Sequence, residues 1–501
     1  MPRPTEWLRL NPKSEVEQVV GSSTGESAFH PTAPSRLFGF RISDFGFLSD
    51  FGLRTSDFAA LLLALAIASS SASAAPAVAP TNSPVVIPPQ QVVSNAVAYS
   101  QRLKALDRDV EAATAQQRQA RAQGLPQLSA DAQVAQYVGL TDSDFGPTMT
   151  IPAIDTRYGA GVQIKQPLYT GGRIKGQQAS AAFQQGAARE NRRAAGADVV
   201  DEAWRAYWNW AKAFFLTASL QSSVERMEAH SKDIWSLYNA GLATDNDALA
   251  TDVQLDQTRL SLDSASRRIE VFAAKIAFLT GQTLPADSRP QPAEPPRDFA
   301  LPPEAGMLDA AQTNRAERAA ITLEAHAAEA QVKATRGEYY PQFALIGRYD
   351  VARPNMMNIP PTDAWQDDAF VGLGVTWNIF DWGLRKAKVT EASARSAQAR
   401  IRVQQVEDRI NLEVREARIN LQDARQRFTV ATRGEKSAQR NLQAVTDLWQ
   451  NGLARHSEVL DAHDQLTETQ YEVISAQSDA ELARAALDHA LGQVNVPTAG
   501  K

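Results

Sequence analysis

The sequence predicts a mixed α+β membrane protein: two tandem repeats, each a β-hairpin followed by long coiled-coil helices. Three observations carry that prediction. Period-two alternation marks strands with one greasy face; Tyr158, Ala160, Val162, Ile164 and Leu168 share one parity while Gln163 and Lys165 take the other. That strand runs into Gln166-Pro167-Leu168-Tyr169-Thr170-Gly171-Gly172-Arg173-Ile174-Lys175, after which no proline occurs until Pro285. The pattern then recurs 211 positions on: Gly172 as Gly383, Lys175 as Lys386, Leu237 as Leu448, Gly241 as Gly452, and Gly281-Gln282 as Gly492-Gln493. Glycines matched at the helix boundaries point to a duplication, with repeats over residues 75–282 and 304–501 joined by a linker at 283–303.

The N-terminus opens with a polar stretch to about residue 57, then an apolar run from Ala59 to Ala68 and the small residues Ala72-Ser73-Ala74. This reads as a leader and secretory signal peptide over residues 1–74, with mature protein from near Ala75 and the first fifty-odd residues an over-long start. The run is too short to span a bilayer as a helix.

From Pro88 to Gln123 the chain is polar and helix-forming, with Val92, Val93, Ala96, Leu103 and Leu106 on one stripe, until Gly124 and Pro126 stop it. Leu128, Ala130, Ala132 and Val134 alternate with polar residues as a first strand, and a turn-rich segment from Thr141 to Asp155 joins it to the second. Gly171 and Gly172 let that strand turn sharply into a helix, because glycine takes positive φ at no steric cost. The helix carries Val200, Trp204, Tyr207, Ala211, Phe214 and Phe215 at three- and four-residue spacing and extends from Arg173 to about Tyr238. At 1.5 Å per residue it is on the order of 100 Å long, so it needs neighbouring helices along its whole side. Gly241 breaks it, a second helix returns to Thr280, and seven prolines between Pro285 and Pro303 form a stiff linker.

The second half repeats the plan. A helix is expected over Ala316–Glu338, a strand through Phe343, Leu345, Tyr349 and Val351, and a loop from Pro354 to Trp365. A second strand runs through Val371, Leu373, Val375, Trp377 and Ile379, and Trp382-Gly383 provides the turn. Val403, Val406, Ile410, Ala417, Leu421, Ala424 and Phe428 then keep a near-heptad rhythm to about Gln450.

Composition excludes several functions. The formal charge of −6 is spread along the chain, which gives no nucleic-acid footprint. No cysteine is present, so thiol catalysis and thiolate metal sites are out. Six histidines are scattered without metal-binding spacing, and Gly171-Gly172-Arg173 lacks a phosphate-loop lysine. No enzyme chemistry, cofactor or metal is expected.

Strands of about ten residues, apolar on one face and small or polar on the other, have the pattern of membrane β-barrels. Four strands cannot close around a usable lumen, so several chains must share one barrel, which also removes the sheet edges. The alternatives are two ordinary hairpins covered by helices, or a periplasmic coiled-coil scaffold without a pore; neither accounts for both the alternation and the helix length.

The signal peptide, the Gln-Pro-Leu-Tyr-Thr-Gly-Gly-Arg junction, its Trp-Asn-Ile-Phe-Asp-Trp-Gly counterpart and Ser-Glu-Val-Leu-Asp-Ala at Ser457–Ala462 together resemble TolC-type outer-membrane efflux proteins, over roughly residues 85–495. The resemblance implies a homotrimer with a shared twelve-stranded barrel in outer-membrane lipid, continued by a periplasmic α-helical barrel. It implies an exit duct for a tripartite efflux or type I secretion system, with an inner-membrane pump and a periplasmic adaptor as partners. Many relatives carry an acylated N-terminal cysteine; here barrel insertion alone must anchor the protein.

By the same resemblance, the turns holding Gly241, Leu242 and Ala243 and holding Gly452, Leu453 and Ala454 are periplasmic tips that dock the adaptor. Glycine C-caps account for the turns themselves, but not for the apolar residue after each glycine. Glu458 and Asp461, three residues apart, share a helical face next to the second tip and are expected to form an acidic gate ring in the trimer. Asp247, Trp449 and Arg455 are expected to tie the gate shut, although Arg455 lies slightly off the position of the linking arginine in relatives.

Overall fold

Glycine, proline and serine set most element boundaries in this chain. The computed structural model describes residues 85–494, apart from 145, 147–149, 152, 294–300 and 359–361. The expected leader and signal peptide over 1–74, with its cleavage point at Ala75, lies outside the described residues. The first half runs β1 (Val85–Ile87), α1 (Pro89–Tyr99), α2 (Gln101–Ala122), β2 (Gln127–Gln136), the short pair β3 (Ser143–Asp144) and β4 (Thr150–Ile151), β5 (Thr156–Tyr169), α3 (Arg173–Asn239) and α4 (Asp245–Thr280). After β6 (Ser288–Pro290) come α5 (Glu304–Asn314), α6 (Ala316–Arg336), β7 (Gln342–Arg353), β8 (Gln366–Thr376), α7 (Leu384–Gln450) and α8 (His456–Ala490).

α3 and α7 each hold 67 residues, so each is about 100 Å long. Each returns through a glycine turn into a shorter partner, giving the helical hairpins α3–α4 and α7–α8. α6 lies along both long helices, and α3 also contacts α8, so the two hairpins sit side by side. Their interior is built largely from alanine: Ala203, Ala206 and Ala211 in α3 and Ala417 and Ala424 in α7 are buried. Small side chains let long helices approach closely along a seam, while larger residues fill the points where a third element joins. One such point is the cluster of Tyr207, Trp208, Trp210 and Ile276 with Ile87 of β1. Another joins Ile410, Val414 and Leu421 of α7 to Met307 of α5 and Leu487 of α8.

The helix expected across Pro88–Gln123 is two helices. The Ser100 hydroxyl accepts from the Leu103 amide at 3.3 Å and caps α2, because serine competes with the helical backbone for hydrogen bonds. In the second half α5 precedes the expected helix, and α6 ends at Arg336 before a 3-10 turn over Gly337–Tyr339. The linker is more than a spacer. Its β6 pairs in parallel with β1, Val86 opposite Arg289, and so brings the start of the first half against the link to the second. Trp377 and Ile379, expected within a strand, lie beyond β8.

The main sheet has the order β2-β5-β7-β8, antiparallel throughout. Its central pair, β5 with β7, joins the two halves of the chain, and β2 and β8 are its edges. Among the described residues, no helix is long and apolar enough to cross a membrane.

Candidate functional site

Register turns the sequence alternation into two distinct faces. On one, Ala130, Val162, Tyr349 and Ala369 stand in one row, and Leu128, Ile164, Gly347 and Val371 in the next. This face is apolar across all four strands and open: Leu128 is 73% exposed, Val134 72% and Val371 80%. The opposite face carries Ser129, Gln163, Arg348 and Phe370, then Asp131, Gly161, Asp350 and Asp368. There Arg348 bonds Asp350 at 2.6 Å, Asp131 at 3.0 Å and Gln163 at 3.2 Å. Water would reward the second face and penalise the first; a lipid-facing wall around a polar lumen requires both.

Aromatic residues gather at both ends of the apolar face. At the helix end stand Tyr169 and Phe343, 6.0 Å apart, with Tyr340 and the exposed cluster Trp377, Phe380 and Trp382. At the far end Tyr158 lies 6.2 Å from Trp365. From Phe343 to Val351 a strand rises about 26 Å at 3.3 Å per residue, close to the apolar band of an outer-membrane wall once tilted.

The two junctions use related solutions. Gly171 and Gly172 have φ of 62° and 88°, and their counterparts Trp382 and Gly383 have 54° and 87°. Gly171 is required by space as well as by φ, since a Cβ there would lie 2.5 Å from the Gly337 carbonyl. At Trp382 the side chain is 92% exposed and packs on Phe380 at 4.9 Å. Asp381 then caps α7: its carboxylate accepts from the Gly383 and Arg385 amides at 3.2 and 3.1 Å and pairs with the Arg385 guanidinium at 2.6 Å. Arg385 in turn lies over the Tyr339 ring. Asp381 and Arg385 were present in the repeated motif, but only the fold gives them a capping role.

At the tips, Leu242 N donates to Leu237 O at 2.8 Å and Leu453 N to Leu448 O at 2.9 Å, the six-residue closure of a glycine-capped helix end. The glycines Gly241 and Gly452 have φ of 75° and 70°. That closure leaves Leu242 and Leu453 standing out, 77% and 75% exposed, beside half-buried Ala243 and Ala454. The helices leaving the two tips start differently. Thr244 and Asp247 form a reciprocal capping box, and hydrogen bonds from Thr244 hold the Asp247 carboxyl below its ordinary range. In the second hairpin Arg455 replaces Thr244 and Glu458 replaces Asp247; α8 has no side-chain cap.

Glu458 and Asp461 are both exposed, while Val459 and Ala462, the residues that follow each of them, are buried. Asp464 continues the column; burial, then the Asp461 charge, pushes its carboxyl up. The expected tie is not assembled within the chain. Asp247 is engaged by Thr244, and Trp449 lies against His230 and His456 rather than Arg455. The Thr244 amide and hydroxyl both donate to the Asp247 carboxylate, at 3.0 and 2.6 Å, which keeps it within the cap of its own helix.

Three of the six histidines, expected to be scattered, come together. His230 of α3 stacks on His456 of α8 at 5.1 Å and lies 5.5 Å from His463, with Trp449 of α7 against the first two. The seven-residue spacing of His456 and His463 put both on one helical face; nothing local placed His230 opposite them. No group of three histidine, aspartate or glutamate side chains able to hold a metal occurs among the described residues.

The chain matches the family described as outer membrane efflux protein over residues 92–282 and 307–493. It is similar to the outer membrane efflux protein BepC of Brucella suis biovar 1 (strain 1330), 24% identical over 359 residues that cover 70% of this chain and 75% of BepC. Among solved structures it shares the fold of CusC, a transmembrane channel, with a TM-score of 0.70 at 19% identity over 81% of this chain and 92% of that one. The CmeC outer membrane channel of Campylobacter jejuni gives a TM-score of 0.70 at 15% identity, covering 81% of this chain and 85% of its own. These relatives are channels, not enzymes.

Proposed function

The chain belongs to the outer membrane efflux protein family and is a protein of the outer membrane with a periplasmic extension, and from that premise we propose that it forms the exit duct of a tripartite efflux or type I secretion system. A homotrimer would share one twelve-stranded barrel, continued by a tunnel of the coiled helices. Substrate would pass through passively, delivered by an inner-membrane pump through a periplasmic adaptor.

The observation that carries this reading is the four-stranded sheet with one apolar face and two open edges. Its strands alternate in direction, so β8 of one copy can pair antiparallel with β2 of the next, and three copies close without a defect. Closure satisfies every edge backbone group, which a bilayer demands. A scaffold without a pore would leave the apolar face unexplained. The equal lengths of α3 and α7, beginning at residues 173 and 384, support the duplication.

The tips at Gly241–Ala243 and Gly452–Ala454 would dock the adaptor through Leu242 and Leu453. Glu458 and Asp461 would form an acidic ring near the narrow end, with Arg455 reaching a carboxylate of a neighbouring copy as the tie. Conductance of the purified protein in planar bilayers, read beside its mass in detergent, tests the duct. Heat-resistant trimers that conduct are expected; a monomer, or a trimer that never conducts, rejects it in favour of the scaffold.

A further inference from the structure

Toward the tips, the contact between the two helical hairpins is mostly polar. Lys212 reaches Asp479, Ser219 reaches Gln470, Ser223 meets Thr467, and Gln254 meets Asp464. The apolar contribution there is small, centred on Val224, Met227 and Leu255. Such a seam has little burial to hold it, so the groups at its tipward end decide how firmly it stays closed. Those groups are His230, His456, His463, Trp449 and Thr251.

Hydrogen bonding places a proton on Nε2 of His456 and leaves no acceptor for a second one. The Thr251 hydroxyl donates to the Asp247 carbonyl at 2.7 Å, so it can only accept from His456 Nε2, 2.8 Å away. His456 Nδ1 is then the bare nitrogen, buried and without a partner. His230 Nε2 is likewise buried and unpartnered. A second proton on either ring would create a buried N–H with no acceptor and place positive charges on rings in contact.

We propose that these three histidines are a proton-operated lock between the hairpins: neutral, they stack and hold the tips together, and on acidification they charge and part the seam. Of the charged groups facing the cluster, one opposes its protonation and one, weaker than burial, favours it. From α3, Arg226 opposes a charge on His463; from α4, Asp247 favours one on His456 but is already committed to Thr244; α7 contributes only the Trp449 ring. Burial, then neighbouring rings, lowers His230 to about 4, and burial, then Arg226, does the same to His463, against an ordinary value of 6.5. A folded-state value below the ordinary one means that the stacked form is favoured above about pH 6.5 and loses ground as pH falls toward 4. If parting the seam returns one ring from 4 to 6.5, linkage favours the parted form by about 30-fold at pH 5. Even with most of that screened by solvent, the two rings predict at least a tenfold change between pH 7.5 and pH 5.

The chain has no cysteine, so Leu242→Cys with Leu453→Cys can carry a spin-label pair across the tips without background. Distances are read in the full-length assembled protein from pH 7.5 to 5, with circular dichroism confirming that helices persist. The expected result is a separated population that grows at least tenfold on acidification. In His230→Phe with His463→Phe, whose rings stack but cannot charge, the tips should stay closed throughout. A wild-type distance that does not move with pH overturns the lock, as does a response that survives in the double phenylalanine variant. A response that chelator abolishes overturns it in favour of a metal. Because the readout is a distance rather than a current, it stands or falls apart from the channel reading.

Discussion

The Tyr207 hydroxyl, on a ring with no exposed surface, donates to the Ile87 carbonyl at 2.9 Å and accepts from the Gln291 amide at 2.9 Å. One side chain near the middle of α3 thereby fastens both the strand before the first helix and the linker between the halves. Burial raises its hydroxyl to about 12, so it stays protonated across the physiological range.

Tyr207→Phe keeps the ring and removes both bonds. It should destabilise the protein by about 1 kcal/mol, because the Ile87 carbonyl and the Gln291 amide then keep only their 3.3 Å bond to each other. Thermal unfolding in detergent measures this, and an unchanged midpoint would show that β1 and β6 hold without it.

The two junction glycines should respond unequally to alanine. Gly172→Ala meets open space and costs only the left-handed backbone, about 1–2 kcal/mol. Gly171→Ala adds a clash with the Gly337 carbonyl and should lower the yield of assembled protein further. Equal losses would mean that the start of α3 moves away freely from the turn after α6.

Leu242→Asp with Leu453→Asp should abolish transport in cells while leaving trimers intact, because it charges the exposed apolar residues without touching the glycine caps. Efflux at the parental level would remove these leucines from adaptor docking.

β2 and β7 stop, and β5 and β8 begin, at the end of the sheet away from the long helices, where the connections Thr141–Asp155 and Pro354–Trp365 start and finish. An epitope inserted beside Asp144 or Asn358 should bind antibody on intact cells. Binding only after lysis would invert the orientation of the barrel.

Glu458→Ala with Asp461→Ala removes two exposed carboxylates per chain. Cation selectivity and block by divalent cations in planar bilayers should both weaken. If conductance, selectivity and block all match the parent, the pair does not line the pore.

Much of this molecule was legible because its signals are local. Glycine at 172, 241, 281, 383, 452 and 492 marks helix boundaries within a residue or two, since those turns need positive φ. Parity along residues 128–134, 158–164 and 343–351 assigned each strand's apolar face, and register preserved that assignment across the sheet. Ser100 also acts locally, but serine is common within helices, so its cap showed only in the fold.

The sequence by itself determined the main strands, the extent of the two long helices, the 211-residue correspondence of the halves and which strand faces are apolar, because each follows from backbone preference or side-chain period. Tertiary structure decided that β5 pairs with β7 across the halves, that β6 leaves the linker to join β1, and that Asp247 is committed to a cap while Glu458 is free. It also decided that His230 meets His456 and His463. A helix of 67 residues offers many possible partners around its circumference and along its length, and the packing of all the others against it selects one.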